Sequence, residues 1–117
     1  MGEADVENLY ETLEAGGRRA GVLWSLTQSH DLNANLVRFA SGGGVGEHVN
    51  DEVDVLILGV SGKGAISIDG EERPLVSGVV ALVPKGVRLS IRSDSDDFAY
   101  LTVHRRRAPL NIGGRSR

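Results

Sequence analysis

His48, Asn50, Glu52 and Asp54 stand at every second position of one short stretch. If that stretch is an unbroken strand, alternation puts all four side chains on one face. Leu56 and Leu58 continue the same phase, which makes the face an inward one. An imidazole and carboxylates converging on a small cavity suit Fe(II), Mn(II), Ni(II) or Zn(II). The same groups, with the amide, equally form a hydrogen-bonded cluster that lines a wet pocket or orients a ligand. His104 lies on a later apolar run, in phase with Tyr100 and Thr102. It supplies a further nitrogen ligand if that face is interior, and is a surface histidine among arginines if it is not.

Several elements must hold these groups in place. The loop Gly42-Gly43-Gly44-Val45-Gly46 leads into His48. It is not a phosphate loop of the P-loop type, because no Gly-Lys-Ser/Thr follows. Val53 to Val60 is a short, nearly unbroken apolar run, which predicts a strand buried on both sides. Gly59 within it marks a bulge or a close backbone approach. Upstream, residues 21–26 read as a first strand in which Trp24 packs, and Leu36 to Ala40 as a second. Between them His30, among Ser29 and Asp31, reads as a solvated loop histidine. Downstream, Ala65 to Ile68 alternates, and Asp69-Gly70 is a hairpin signal. Val79 to Val83 reads as another buried strand, closed by the turn Pro84-Lys85-Gly86. Residues 87–92 alternate with Leu89 and Ile91 inward, and Phe98 to His104 is a final strand. The acidic loop from Ser93 to Asp97 lacks the EF-hand spacing for calcium. About seven or eight short strands with regular turns predict an all-β sandwich or barrel. Residues 4–15 predict a short amphipathic helix, with Val6, Leu9, Tyr10 and Leu13 on one face and Gly16-Gly17 as its stop.

Composition narrows the function classes. A chain of 117 residues holds one domain with one core. It has no cysteine, which excludes disulfides, zinc–thiolate sites and thiol nucleophiles. The net charge of −3 gives no general reason to expect nucleic-acid binding. No hydrophobic run approaches the ~18 residues of a membrane span. No signal-peptide pattern opens the chain, and its start lacks the Ser or Thr of a myristoylation signal. A cytoplasmic protein with no membrane partner is the default expectation. The tail from Arg105 to Arg117 carries five arginines at 105, 106, 107, 115 and 117, and reads as a solvated, mobile end.

From about residue 34 to residue 106 the chain resembles a cupin. The first cupin motif runs glycine, five residues, histidine, one residue, histidine, three or four residues, glutamate, six residues, glycine. Here Gly42 is followed by five residues and His48, Asn50 holds the second histidine position, and Asp54 holds the acidic one. Gly62 falls one residue later than the pattern asks, which predicts a bulge unless Glu52 takes the acidic role. The second motif matches at Gly78, Pro84 and Gly86, whereas Leu89 stands at its histidine and Ser93 at its asparagine. Of the family's three histidines and one glutamate, His48 alone is kept.

The resemblance implies a cupin-type antiparallel β-sandwich or barrel, jelly-roll-like, with a short N-terminal helix. Residues 1–20 would be a helical extension, 21–107 the barrel and 108–117 a basic tail. It implies a small-molecule-binding cupin whose polar-lined pocket uses His48, Asn50, Glu52 and Asp54, with a degenerate metal set. The alternative is a small metal-dependent enzyme of isomerase or dioxygenase type. Its divalent metal, Fe, Mn, Ni or Zn, would be held by His48, Asp54 or Glu52, and His104. A third possibility is an interaction domain without a ligand. An exposed sheet edge needs covering, so a homodimer is expected.

Overall fold

The computed structural model describes residues 5–107. Among them stand one helix and nine strands. The helix is α1 (Leu9–Ala15). The strands are β1 (Gly21–Ser25), β2 (Leu32–Phe39), β3 (Gly44–Val49), β4 (Val55–Ser61), β5 (Lys63–Ile68), β6 (Glu71–Val76), β7 (Val80–Val83), β8 (Arg88–Ser93) and β9 (Phe98–Arg105). One sheet has five strands in the order β1-β2-β9-β4-β7, and the other has four in the order β3-β8-β5-β6. Every pairing is antiparallel. The expected two-sheet all-β architecture with a short N-terminal helix is therefore the observed one. The expected tail, 108–117, lies outside the described residues.

The sheets face each other across an aliphatic core. Val55, Ile57, Val83, Phe98 and Tyr100 come from one, and Ile66, Leu75, Leu89 and Ile91 from the other. Each such side chain stabilises the fold by roughly 1.5–3 kcal/mol when fully buried. Aromatics are few, yet Phe98 is wholly buried beside Tyr100, their ring centroids 5.5 Å apart. Leu89 and Ile91 point inward as their alternation predicts.

Two glycines fix the path at the motif. Gly62 alone separates β4 from β5, so the chain must jump from one sheet to the other there. Its φ of 68° is left-handed, and a Cβ would meet the Phe98 backbone at 2.6 Å. Gly59 packs its backbone against the Val76 carbonyl, where a Cβ has no room. Between Gly59 and Ser61 the register against β9 shifts, a β-bulge. That bulge is the extra residue that moves Gly62 one position along.

The helix covers part of the outer face of the five-stranded sheet. Leu13 packs on Leu36, Val60 and Ala99. Arg38, buried beside them on β2, donates to the carbonyls of Leu13, Gly17 and Arg19. Among the described residues the helix begins at Leu9, later than the expected span, because Asn8 caps it. The Asn8 carbonyl oxygen Oδ1 accepts from the Tyr10 and Glu11 amides, each at 3.1 Å. Val6 falls outside the helix and is 92% exposed, so the apolar face shrinks to Leu9 and Leu13.

Two further expectations are corrected. β4 and β7 are not buried on both sides: Leu56 is 42%, Val80 58% and Leu82 59% exposed, all on the outer face beyond the helix. Glu71–Val76 forms a strand that alternation did not reveal. Pro74 sits within it, tolerated because β6 is an edge.

Candidate functional site

The mouth of the sandwich is built by β9 and β2 on one side and β3 with its following loop on the other. On β9 the inward residues are Phe98, Tyr100, Thr102 and His104. Their register partners on β2 are Phe39, Val37, Asn35 and Asn33. The interior thus runs from aromatic and aliphatic at the floor to polar at the rim. His104 is one of these inward groups, which answers the question its phase left open. Its Nδ1–H donates to the Arg105 carbonyl at 2.7 Å. That leaves Nε2 as the acceptor, 3.4 Å from the Arg107 guanidinium and 3.5 Å from the Asn33 amide nitrogen.

On the opposite side His48 pairs in register with Leu89 on β8. The His48 Nδ1–H donates to the Gly46 carbonyl at 2.9 Å, which fixes the ring and leaves Nε2 for other partners. The ring is exposed but forms part of the cavity wall.

The four residues expected on one face are divided. β3 ends at Val49 and β4 begins at Val55, so no continuous strand joins them. Asn50 turns the chain: its Oδ1 accepts from the amides of Glu52 at 3.0 Å and Val53 at 3.4 Å. The turn shifts the alternation by one. Val53, Val55 and Ile57 therefore point into the core, and Asp54, Leu56 and Leu58 point away. His48 and Asn50 line one cavity; Glu52 and Asp54 line a separate surface cleft with Lys85 and Arg105. The Asp54 carboxylate accepts the Lys85 amide at 2.9 Å, and the Asn50 carbonyl accepts the Gly86 amide at 2.7 Å. Together they anchor the Pro84–Gly86 turn.

The cavity that holds His48 and His104 has a volume of about 190 Å³. At ~30 Å³ per liquid water that is room for about six waters. Val45, Val55, Ile57, Leu89 and Ile91 form its apolar wall, and Asn50, Tyr100, Thr102 and Arg107 add polar groups. Burial pushes the Tyr100 hydroxyl up to about 12, so it stays protonated at neutral pH.

Sequence reasoning did not single out Asn33, Asn35, Thr102 or Arg107. The alternation Asn33, Asn35, Val37, Phe39 on β2 was the available signal. The first arginines of the tail are also more tightly held than expected. Arg107 pairs with Glu52 at 3.3 Å, Arg105 donates to the Glu52 carbonyl, and Arg106 donates to the Ser29 carbonyl.

A metal of the cupin kind needs several converging nitrogen and carboxylate donors. The cavity offers two imidazoles and no carboxylate, and Leu89 fills a further ligand position. The His104 Nε2 already faces a guanidinium, a cation where a second cation would have to stand. Among the described residues no three His, Asp or Glu side chains gather in a metal-holding group. This donor set does not fit such a metal.

No protein-family model matches the chain, and no curated protein does. Solved structures do. A structure of KdgF from Halomonas sp. aligns with a TM-score of 0.68 at 21% identity, over 73% of this chain and 77% of that one. A cupin protein from Bacteroides fragilis aligns at 0.59 and 23% identity, over 78% of this chain and 75% of its own. The cupin domain of Cnp3 from Schizosaccharomyces pombe aligns at 0.62 and 16% identity, over 73% of this chain and 63% of its own. With the two antiparallel sheets and the motif turns, these likenesses define a protein of the cupin fold. No helix among the described residues is long and apolar enough to cross a membrane.

Proposed function

We propose that this protein is a small-molecule-binding cupin that uses the mouth cavity as its binding site, in a cytoplasmic setting. The observation that carries the reading is the polarity gradient inside the sandwich. An apolar floor of Ile57, Leu89 and Ile91 rises to a rim of His48, Asn50, Thr102, His104 and Arg107. Such a gradient buries the stem of a ligand and orients its head by hydrogen bonds. His48 and Asn50 contact the ligand; Glu52 acts from outside by holding Arg107, and Asp54 by holding the Lys85 turn.

The metal-dependent alternative, an isomerase or dioxygenase, draws on His48 and His104 sharing one cavity. It would need a carboxylate, from Glu52 or Asp54, to leave its present partners. Metal analysis of untagged protein tests it: stoichiometric Fe, Mn, Ni or Zn that His48→Ala removes would establish it.

The binding reading is tested by an NMR fragment screen on the native chain and on Thr102→Phe, whose ring occupies the cavity. Shifts confined to cavity residues in the native chain, and lost in the folded variant, are expected. Shifts elsewhere, or unaltered by the ring, would overturn the reading.

The homodimer belongs to the same proposal. Leu56, Leu58, Val80 and Leu82 form paired rows on β4 and β7, beside Leu101 and Val103 of β9. An exposed apolar sheet face of this kind is satisfied by a second copy of itself in a two-fold contact.

A further inference from the structure

We propose that the ligand class is a small monocarboxylate on a short apolar stem, its carboxylate at the rim against Arg107 and Asn50. This rests on the cavity being a binding site at all, and adds the sign and number of the ligand's charges.

The inference comes from an inventory of donors and acceptors at the rim. No acidic side chain lines the cavity. Asn50 is committed as a donor, because its Oδ1 already accepts two backbone amides, which leaves its NH2 for a ligand. Arg107 carries five N–H donors, and its contacts to Glu52 and His104 use two of them. Those contacts hold the guanidinium over the mouth from both sides. His104 is committed too: its Nδ1–H serves Arg105 and its Nε2 faces Arg107 and Asn33. The His48 Nδ1–H is engaged by the Gly46 carbonyl, so its Nε2 adds a single acceptor to the rim, outnumbered by the free donors of Arg107 and Asn50. A rim with this balance meets an acceptor-rich head. A neutral polyol would offer Arg107 and the Asn50 amide only uncharged hydroxyl acceptors, weaker partners for a guanidinium than a carboxylate, and an ammonium would set like charges together.

The charge count and the floor set the rest. One permanent cation, Arg107, stands at the rim, already facing the Glu52 carboxylate from outside the cavity, and none stands at the floor. That favours one negative charge over two, and a planar carboxylate suits a guanidinium and an amide side by side. The aliphatic floor, Val55, Ile57, Leu89 and Ile91, carries no charged group to balance a second anionic head, and the Tyr100 hydroxyl beside it is uncharged. A space of about 190 Å³ fits a stem of a few carbons.

The test is calorimetric titration of the full chain with matched probes: butyrate and isobutyrate, their neutral amides butyramide and isobutyramide, and inorganic phosphate. The acids should bind at least ~10-fold more tightly than the amides, the scale of one charge-assisted hydrogen bond. Arg107→Gln should abolish that preference, the acids losing at least ~10-fold and the amides less. Asn50→Asp keeps the turn acceptor but replaces the donor with a charge, and should weaken the acids further, with circular dichroism confirming the fold. Equal binding of acids and amides overturns the proposal and leaves the binding reading intact. Phosphate binding through Arg107 with no acid binding also overturns it, marking an inorganic-anion site. If no probe binds, the proposal falls, and the fragment screen alone then decides the binding reading.

Discussion

At the scale of single residues, Asn50 decides what the site is. One side chain closes a turn, ends the alternation that began in β3, and sends Glu52 and Asp54 away from the cavity. Strand logic carried through Asn50 without a break, and so grouped four residues of which two share the cavity. The counter-signal was present: Val53, Val55 and Ile57 are β-branched in the other phase, and Asn-Asp is turn chemistry. His48 was legible from the motif. The inward direction of His104 was not, because phase alone cannot say which face of a strand meets the core. Tyr100 gives a prediction at this scale. Its hydroxyl rises from the ordinary 10.0 to about 12 on burial, so the folded state holds the proton more tightly than the unfolded chain. The contribution is complete below about pH 10 and disappears as pH climbs through about 12, a loss of roughly 2–3 kcal/mol. Urea unfolding at stepped pH should show that extra decline in the native chain and not in Tyr100→Phe. Parallel slopes for the two would refute it.

At the scale of elements, turns were more legible than faces. Asp69-Gly70 forms the expected hairpin, with both residues at positive φ and Ile68 paired to Glu71. Gly59 and Gly62 are glycines for steric reasons that a Cβ would violate. What the sequence hid was cooperation between distant elements. Arg38 follows Leu36 in the same strand phase, but nothing local says that it reaches the carbonyls of Leu13 in α1 and of Gly17 and Arg19 just beyond it. Arg38→Met keeps the apolar stem and removes those donors, leaving the carbonyl of buried Leu13 unpaired at ~1–3 kcal/mol, while those of exposed Gly17 and Arg19 turn to water. Amide exchange of α1 should then accelerate at least ~10-fold while the strands around Phe98 stay protected. Unchanged exchange in α1 would show that Leu13 docks the helix unaided.

At the scale of the molecule, the sandwich has two unlike surfaces to its chemistry: a polar mouth and an exposed apolar flank. The flank escaped notice because apolar runs of β4 and β7 read as core from both sides. The structure instead leaves Leu56, Val80 and Leu82 in solvent on one outer face. Leu82→Lys should convert a dimer to a monomer in light scattering at micromolar concentration, with the fold retained. A native chain that is already monomeric there would remove the second copy from the account.

The mouth itself is tested most directly by the chain's three histidines. His48 and His104 line the cavity, and His30 lies exposed in the β1–β2 loop. Ring nitrogen NMR during titration with the tightest-binding fragment should move the His48 and His104 resonances together and leave His30 still. Movement of all three alike, or of His30 alone, would contradict the claim that this protein binds its ligand at the polar rim.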